Sequence, residues 1–105
     1  MGRTFINLSF RDRDFIIEYN RSSVKYVLTH QKEELIDQLI VMIKGGLLMH
    51  HEKEMPTDDE VFGWVMALGD DMKVFAETLE EMVQGVLSTF EEDRKNLKWG
   101  KVNEA

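Results

Sequence analysis

The sequence predicts an α+β domain in which an N-terminal two-stranded β-hairpin is followed by a bundle of about four helices. Two observations carry this prediction. Apolar residues alternate with polar ones over about residues 4–19, and they recur every three or four residues in most of the chain that follows. The chain has 105 residues, of which 43% are hydrophobic, so it is long enough for one core and too short for two. We therefore treat residues 1–105 as a single domain.

The hairpin is predicted over about residues 4–19, from two short runs whose apolar residues have a period of two. The apolar rows consist of Ile6, Leu8 and Phe10 in the first run and of Phe15, Ile17 and Tyr19 in the second. A period of two places each row on one face of an extended strand. The charged stretch at 11–14 separates the two runs, and we expect it to contain the turn.

The helices are predicted at about residues 21–30, 33–50, 58–68 and 70–94, with a tail at 95–105. Asn20 is an N-cap candidate for the first helix. Gly45 and Gly46 lie inside the apolar stripe of the second, and we interpret them as points where another part of the backbone approaches closely. The stretch Thr57–Glu60 is a capping box that begins the third helix, and Gly69 ends it. The fourth helix carries a regular apolar stripe.

Composition and charge disfavour several classes of protein. The chain has no cysteine, no cationic stretch followed by an apolar one at its N-terminus, and no apolar run long enough to cross a bilayer. We therefore expect a soluble, cytoplasmic protein without a membrane partner. The net charge is −7, and the helices are acidic while the hairpin end is basic. Because acidic helix faces repel phosphate backbones, we do not expect a nucleic-acid partner.

No set of residues predicts a catalytic or metal site. His50 and His51 are adjacent, so on a helix they point about 100° apart and cannot hold one ion from one face. Glu77 and Glu80 have the spacing of a Mg²⁺ ligand pair, but the sequence after Glu81 supplies no facing pair, and we interpret them as a solvated helix face. The sequence thus predicts a protein that is not an enzyme and that needs no cofactor.

The third predicted helix is apolar on every side, whereas a helix that only covers a core needs one stripe. Either it is enclosed at the centre of the bundle, or Phe62, Trp64 and Met66 form an exposed docking patch. A weaker second patch consists of Phe90 and Trp99. Trp99 lies in a polar, basic tail, where it either folds back onto the bundle with Leu97 or belongs to a recognition segment.

Several short blocks of the sequence together resemble a known family. They are the hairpin with a charged turn, a helix beginning at Asn20-Arg21, the block Ile-Lys-Gly-Gly-Leu-Leu-Met-His-His at 43–51, the capped Thr-Asp-Asp-Glu helix, the long acidic helix and the closing Asn96-x-x-Trp99. In this order they are similar to the small tail assembly chaperones of long-tailed bacteriophages and prophages of low-GC Gram-positive bacteria. The resemblance covers about residues 4–100. The chain departs from it at the turn, where relatives often have a glycine and this chain has Arg11-Asp12-Arg13.

The resemblance implies a non-enzymatic protein of the bacterial host cytoplasm that coats the phage tape measure protein and recruits tail tube subunits. It also implies self-association into a homo-oligomer, because neighbouring copies would coat one long partner. Two alternatives stay open from the residues. One is another phage assembly factor, such as a tail-completion or head–tail joining protein. The other, from a different class, is a small Mg²⁺-dependent all-helical nucleotide hydrolase.

Overall fold

The computed structural model describes residues 3–104 and confirms an α+β fold with an N-terminal antiparallel hairpin. Strand β1 spans Ile6–Phe10 and strand β2 spans Arg13–Ile17, in a register that pairs Ile6 with Ile17 and Phe10 with Arg13. The two turn residues, Arg11 and Asp12, both have positive φ, at 50° and 64°. Two consecutive left-handed residues are typical of the tight turn that matches the twist of a hairpin. The hairpin therefore forms although this chain has no glycine in the turn.

The described residues contain five α-helices, joined in places by short 3₁₀ turns. Helix α1 is Arg21–Thr29, α2 is Leu35–His51, α3 is Asp58–Leu68, α4 is Met72–Leu87 and α5 is Glu91–Asn96, with 3₁₀ turns at Glu52–Glu54, Gly69–Asp71 and Ser88–Phe90. Both predicted N-cap side chains form their bonds, but the Glu60 carboxylate pairs with Arg13 at 3.3 Å, so only the Thr57 half of the predicted capping box is present. The Asn20 side chain accepts a hydrogen bond from Ser23 N–H at 2.8 Å, and the Thr57 hydroxyl accepts one from Glu60 N–H at 3.2 Å.

The long helix predicted at 70–94 is interrupted. The hydroxyls of Ser88 and Thr89 donate to the carbonyls of Gly85 and Val86, each at 2.7 Å. Side-chain hydroxyls that bond to the preceding turn compete with the regular helix ladder and tighten it locally. The junction residues still keep right-handed helical dihedral angles, so α4, the 3₁₀ turn and α5 form one rod with a tightened turn.

Helix α2 lies at the centre of the core and packs against β2, α1, α3 and α4. Eight of its residues are buried: Leu39, Ile40, Val41, Met42, Ile43, Gly45, Gly46 and Leu47. The sequence left open that the third helix is enclosed at the centre of the bundle. The structure places α2 there instead. The Tyr19 hydroxyl reaches into this core and donates to the Met42 carbonyl at 2.5 Å, and burial raises the pKa of Tyr19.

Gly45 and Gly46 are the points of close approach that the sequence predicted. A Cβ added at Gly46 would lie 2.4 Å from Cγ2 of Ile17, and one added at Gly45 would lie 2.7 Å from Cγ2 of Val27. The Gly46 carbonyl also accepts a hydrogen bond from Glu18 N–H at 2.9 Å. The two glycines thus allow α1 and the hairpin to pack directly on the backbone of α2.

Candidate protein-binding surfaces

The inward face of α3 holds Trp64, so the prediction that Trp64 belongs to an exposed patch is wrong. Trp64 is 5% exposed, and its ring centroid lies 4.8 Å from that of Phe15 and 6.4 Å from that of Phe10. Val61, one turn before Trp64, and Val65, the residue after it, are fully buried. The apolar row of the hairpin needs a cover, and the large ring of Trp64 provides it.

The outward face of α3 carries the other two residues of the predicted patch. Phe62 and Met66 are 46% and 42% exposed, and they are four residues apart, so they lie next to each other on the helix surface. We call this pair the α3 face. The structure therefore divides the predicted patch, with two of its residues at the surface and the third in the core.

A second apolar surface lies between α1 and α4, and we call it the α1–α4 groove. It has a volume of about 460 Å³. Its apolar lining consists of Val24, Leu28, Leu87 and Phe90, with the stems of Arg21 and Lys25 along its rim. Leu28 is 47% exposed and Phe90 is 37% exposed, whereas Val24 at the floor is 2% exposed. An apolar floor with half-exposed apolar walls is typical of a site that receives apolar side chains.

Arg21 holds the C-terminal wall of this groove in place. Its guanidinium lies 4.1 Å from the centroid of the Phe90 ring, donates to the Thr89 carbonyl at 3.1 Å, and pairs with Asp93 at 2.9 Å. One arginine at the start of α1 thus fixes the 3₁₀ turn and the first turn of α5 against α1. This ordering leaves one face of Phe90 available to the groove.

Trp99 does not join Phe90. It is 87% exposed, and neither it nor Leu97, which is 71% exposed, lines the α1–α4 groove. Residues 97–104 follow α5 without regular secondary structure, and we call them the C-terminal tail. The prediction that Trp99 folds back with Leu97 onto the bundle is therefore wrong. Helix α5 itself has no buried residue, so the tail leaves from an exposed helix and Trp99 has no neighbouring apolar surface to cover.

A polar cluster ties the hairpin to the C-terminal end of α2. The Glu18 side chain is 9% exposed. Its carboxylate accepts hydrogen bonds from Arg3 Nε at 2.9 Å, from a second nitrogen of Arg3, and from His50 Nε2 at 2.8 Å. The bonds from Arg3 and then His50 lower the pKa of Glu18 from 4.5 to about 2. This carboxylate is a structural anchor of the hairpin.

His51 has a different partner from His50. Its Nε2 accepts a hydrogen bond from Ile16 N–H at 2.9 Å, which requires the neutral ring. Burial, and then the neighbouring His50, lower the pKa of His51. The two histidines therefore contact two different residues at the second strand and its end, His51 at Ile16 and His50 at Glu18.

The acidic pair of α4 is solvated, since Glu77 and Glu80 are both exposed. Within residues 3–104, no group of three or more histidine, cysteine, aspartate or glutamate side chains is placed to hold a metal ion. In the same range no helix is long and apolar enough to cross a membrane. Comparison with models of protein families, with curated proteins and with solved structures finds no match.

Sequence reasoning found Phe90 but missed the groove around it. Leu28 and Phe90 are 62 positions apart in the sequence, and only the packing of α1 on α4 brings them to one site. A signal was present in α1, whose nine residues include Val24, Val27 and Leu28 on one broad apolar face. Val27 is buried against α2, so Leu28 is left for another surface.

Proposed function

We propose that this protein is a non-enzymatic phage tail assembly chaperone, which binds the tape measure protein and helps to recruit tail tube subunits in the host cytoplasm. The sequence blocks that resemble this family support the proposal. The observation that carries it is the α1–α4 groove, because a chaperone of this kind needs a place for the apolar face of a helix.

The dimensions of the groove suit one face of a partner helix. Helix α1 has nine residues and is therefore about 13 Å long. Anchors at positions i, i+4 and i+7 of a bound helix span about 10 Å, so three of them fit along this length. The half-exposed walls, Leu28 and Phe90, would contact such anchors from both sides.

The charged residues at the rim of the groove indicate what kind of helix would bind there. Lys25 is exposed on the rim, and Arg21 is already paired with Asp93. We therefore expect a bound helix with an apolar stripe and at least one carboxylate beside it. The other helix faces are acidic, and the chain has a net charge of −7. Like charge on the outer faces would keep the coated partner in solution.

The experiment is co-expression with the tape measure protein of the same phage or prophage, followed by co-purification and calorimetry. Leu28→Ser and Phe90→Ser should each weaken binding at least tenfold, since each removes a partly exposed apolar anchor. Val74→Ser is the matched control, because Val74 is 63% exposed on α4 but does not line the groove. Unfolding curves of all three variants serve as the control that each one is folded.

Two outcomes would refute the proposal. In the first, the Leu28 and Phe90 variants bind the tape measure protein as well as the control does. In the second, mass spectrometry of purified virions finds the protein at the stoichiometry of a structural component, as a head–tail joining protein would be. A tail tube gene just upstream and a gene for a very long helical protein just downstream would support the proposal.

A further inference from the structure

The outer edge of strand β2 is covered by the rest of the fold. In a hairpin closed by a two-residue turn, backbone pairs that exchange hydrogen bonds alternate with pairs that do not. Counted from the turn, this alternation makes the N–H groups of Ile16 and Glu18 point away from β1. Ile16 N–H donates to His51 Nε2 and Glu18 N–H donates to the Gly46 carbonyl, each at 2.9 Å. Helix α2 therefore satisfies the outward-pointing N–H groups of β2.

The outer edge of β1 has no such cover. By the same alternation, the backbone N–H and C=O groups of Asn7 and Ser9 point away from β2. The sheet has two strands, so no third strand lies beside them. Within residues 3–104, no backbone hydrogen bond joins these groups to another element, and both residues are exposed. We call the outward-pointing backbone groups of Asn7 and Ser9 the β1 edge.

The sequence of β1 does not protect this edge. Proteins block open strand edges with charged residues, prolines or bulges. Strand β1 reads Ile-Asn-Leu-Ser-Phe, which contains no charged residue and no proline, and its pairing with β2 is continuous without a bulge. The donors and acceptors of such an edge repeat at the spacing of an extended strand, so the ligand that matches them is another extended backbone.

The turn end of the β1 edge carries a cation. Arg13 pairs with Glu60 at 3.3 Å, whereas the guanidinium of Arg11 lies 5.1 Å from the centroid of the Phe10 ring. Asp59 lines the same cleft as Arg11 without an ion pair between them in the described part of the chain. Arg11 is exposed and lies next to the strand, so a carboxylate at this end of a bound segment has a partner.

The other end of the β1 edge carries an aromatic ring. Phe5 is 42% exposed, and it precedes Asn7 by two positions, so the two side chains share a face. The guanidinium of Arg3 lies 4.9 Å from the centroid of the Phe5 ring, and Arg3 is itself held by the Glu18 carboxylate. A ring held in this way favours an apolar side chain at the corresponding end of a bound segment.

We propose that the β1 edge binds an extended segment of a partner polypeptide as an antiparallel third strand. Antiparallel pairing places the N-terminal end of the segment beside the turn, so its carboxylate lies next to Arg11 and its last side chain lies next to Phe5. Strand β1 has five residues and spans about 17 Å, which sets the length of the segment. A second copy of β1 is the poorer occupant, because it has no carboxylate to place beside Arg11.

The test uses a synthetic probe, acetyl-Glu-Val-Thr-Val-Thr-Val-Phe-amide, and amide hydrogen exchange followed by NMR. In the free protein the amides of Asn7 and Ser9 should exchange fast, while those of Leu8 and Phe10, which are bound to β2, exchange slowly. The saturating probe should slow exchange at Asn7 and Ser9 at least tenfold. If these two amides are already slow in the free protein, the chain's own tail or a second copy holds the edge, and the proposal is wrong.

Two methylated probes form a matched pair. In the antiparallel alignment the threonines of the probe lie opposite Asn7 and Ser9, so their N–H groups face β1, whereas the N–H groups of the valines face away. Methylating both threonine nitrogens should therefore weaken binding at least tenfold, and methylating two valine nitrogens should leave it unchanged. Equal affinities of the two methylated probes would overturn the proposal.

Variants of the protein separate this site from the α1–α4 groove. Asn7→Pro removes an N–H that points away from β2, a position where edge strands accept proline, and it should weaken binding of the probe at least tenfold. Asn7→Thr is the control that keeps the N–H, and slow exchange at Leu8 shows that the hairpin is intact. Leu28→Ser should bind the probe like the wild type, although it weakens binding in the groove. Loss of the probe in Leu28→Ser, or wild-type affinity in Asn7→Pro, would contradict the assignment to the β1 edge.

Discussion

Replacing Gly46 by alanine tests the closest contact in the fold. In an open helix interior this substitution stabilises a protein by about 1 kcal/mol, because alanine is the better helix former. At Gly46 the new Cβ would lie 2.4 Å from Cγ2 of Ile17 and 3.1 Å from Cζ of Tyr19. Carbon atoms in contact lie about 3.5–4.0 Å apart, so β2 would have to move away from α2 by about 1 Å.

The size of the effect follows from what this movement disturbs. Ile17 is fully buried, and the hydrogen bond from Glu18 N–H to the Gly46 carbonyl would lengthen from 2.9 Å. Overpacking a core costs about 1–3 kcal/mol, and a weakened backbone hydrogen bond adds about 1 kcal/mol. After the gain in helix propensity is subtracted, we expect a net loss of about 1–3 kcal/mol. This corresponds to a fall in Tm of roughly 5–20 °C.

Gly85→Ala is the matched control. Gly85 also lies inside a helix, but a Cβ built there meets no other described atom within 4 Å. We expect this variant to gain up to about 1 kcal/mol from helix propensity alone. Urea unfolding and calorimetry of both variants give the comparison. If Gly46→Ala were as stabilising as Gly85→Ala, the close packing of the hairpin on α2 would be wrong.

Four further predictions concern the core, the polar cluster, His51 and metal binding. Trp64→Ala should cost about 3–5 kcal/mol of unfolding free energy, because it opens a cavity beneath the hairpin, and a Tm equal to that of Phe62→Ser would contradict the burial of Trp64. The pKa of Glu18 is about 2 in the folded protein and ordinarily 4.5, so its contribution to the free energy of unfolding is present above pH 4.5 and is lost as the pH falls toward 2. Glu18→Gln should therefore flatten the dependence of the unfolding free energy on pH between 4.5 and 2. The neutral ring of His51 accepts the hydrogen bond from Ile16 N–H, and its pKa is lowered, so its contribution to the free energy of unfolding is present above pH 6.5 and declines below it. His51→Gln should therefore reduce the loss of stability below pH 6.5. Millimolar Mg²⁺ should leave the Tm unchanged, whereas a rise in Tm would favour the nucleotide hydrolase, because a ligand of the native state stabilises it.

The elements of the fold could be predicted because their signals are local. Asn20 and Thr57 cap helices through hydrogen bonds to residues three positions away, and these bonds form whatever the rest of the chain does. The alternation at 6–10 and 15–17 requires only that one face of each strand be buried. The break at Ser88–Phe90 was missed, since serine and threonine hydroxyls can bond either to water or to the preceding turn.

The candidate site could be predicted only in part. Phe62 and Trp64 stand two positions apart in the apolar part of α3, so they point to nearly opposite sides of the helix. Helical periodicity shows that the two side chains point in different directions, but it does not show which one faces the core. The position of the hairpin decides it, because Phe10 and Phe15 lie against Trp64. Leu28 and Phe90 become neighbours only through the packing of α1 on α4.

By itself the sequence determined the hairpin, the capped starts of α1 and α3, and the need for close approach at Gly45 and Gly46. These follow from interactions within a few residues and from the space that a missing Cβ leaves. The tertiary structure decided which aromatic residues are core and which are surface, and it created the α1–α4 groove. Such outcomes depend on contacts between residues far apart in the chain, which local periodicity does not encode.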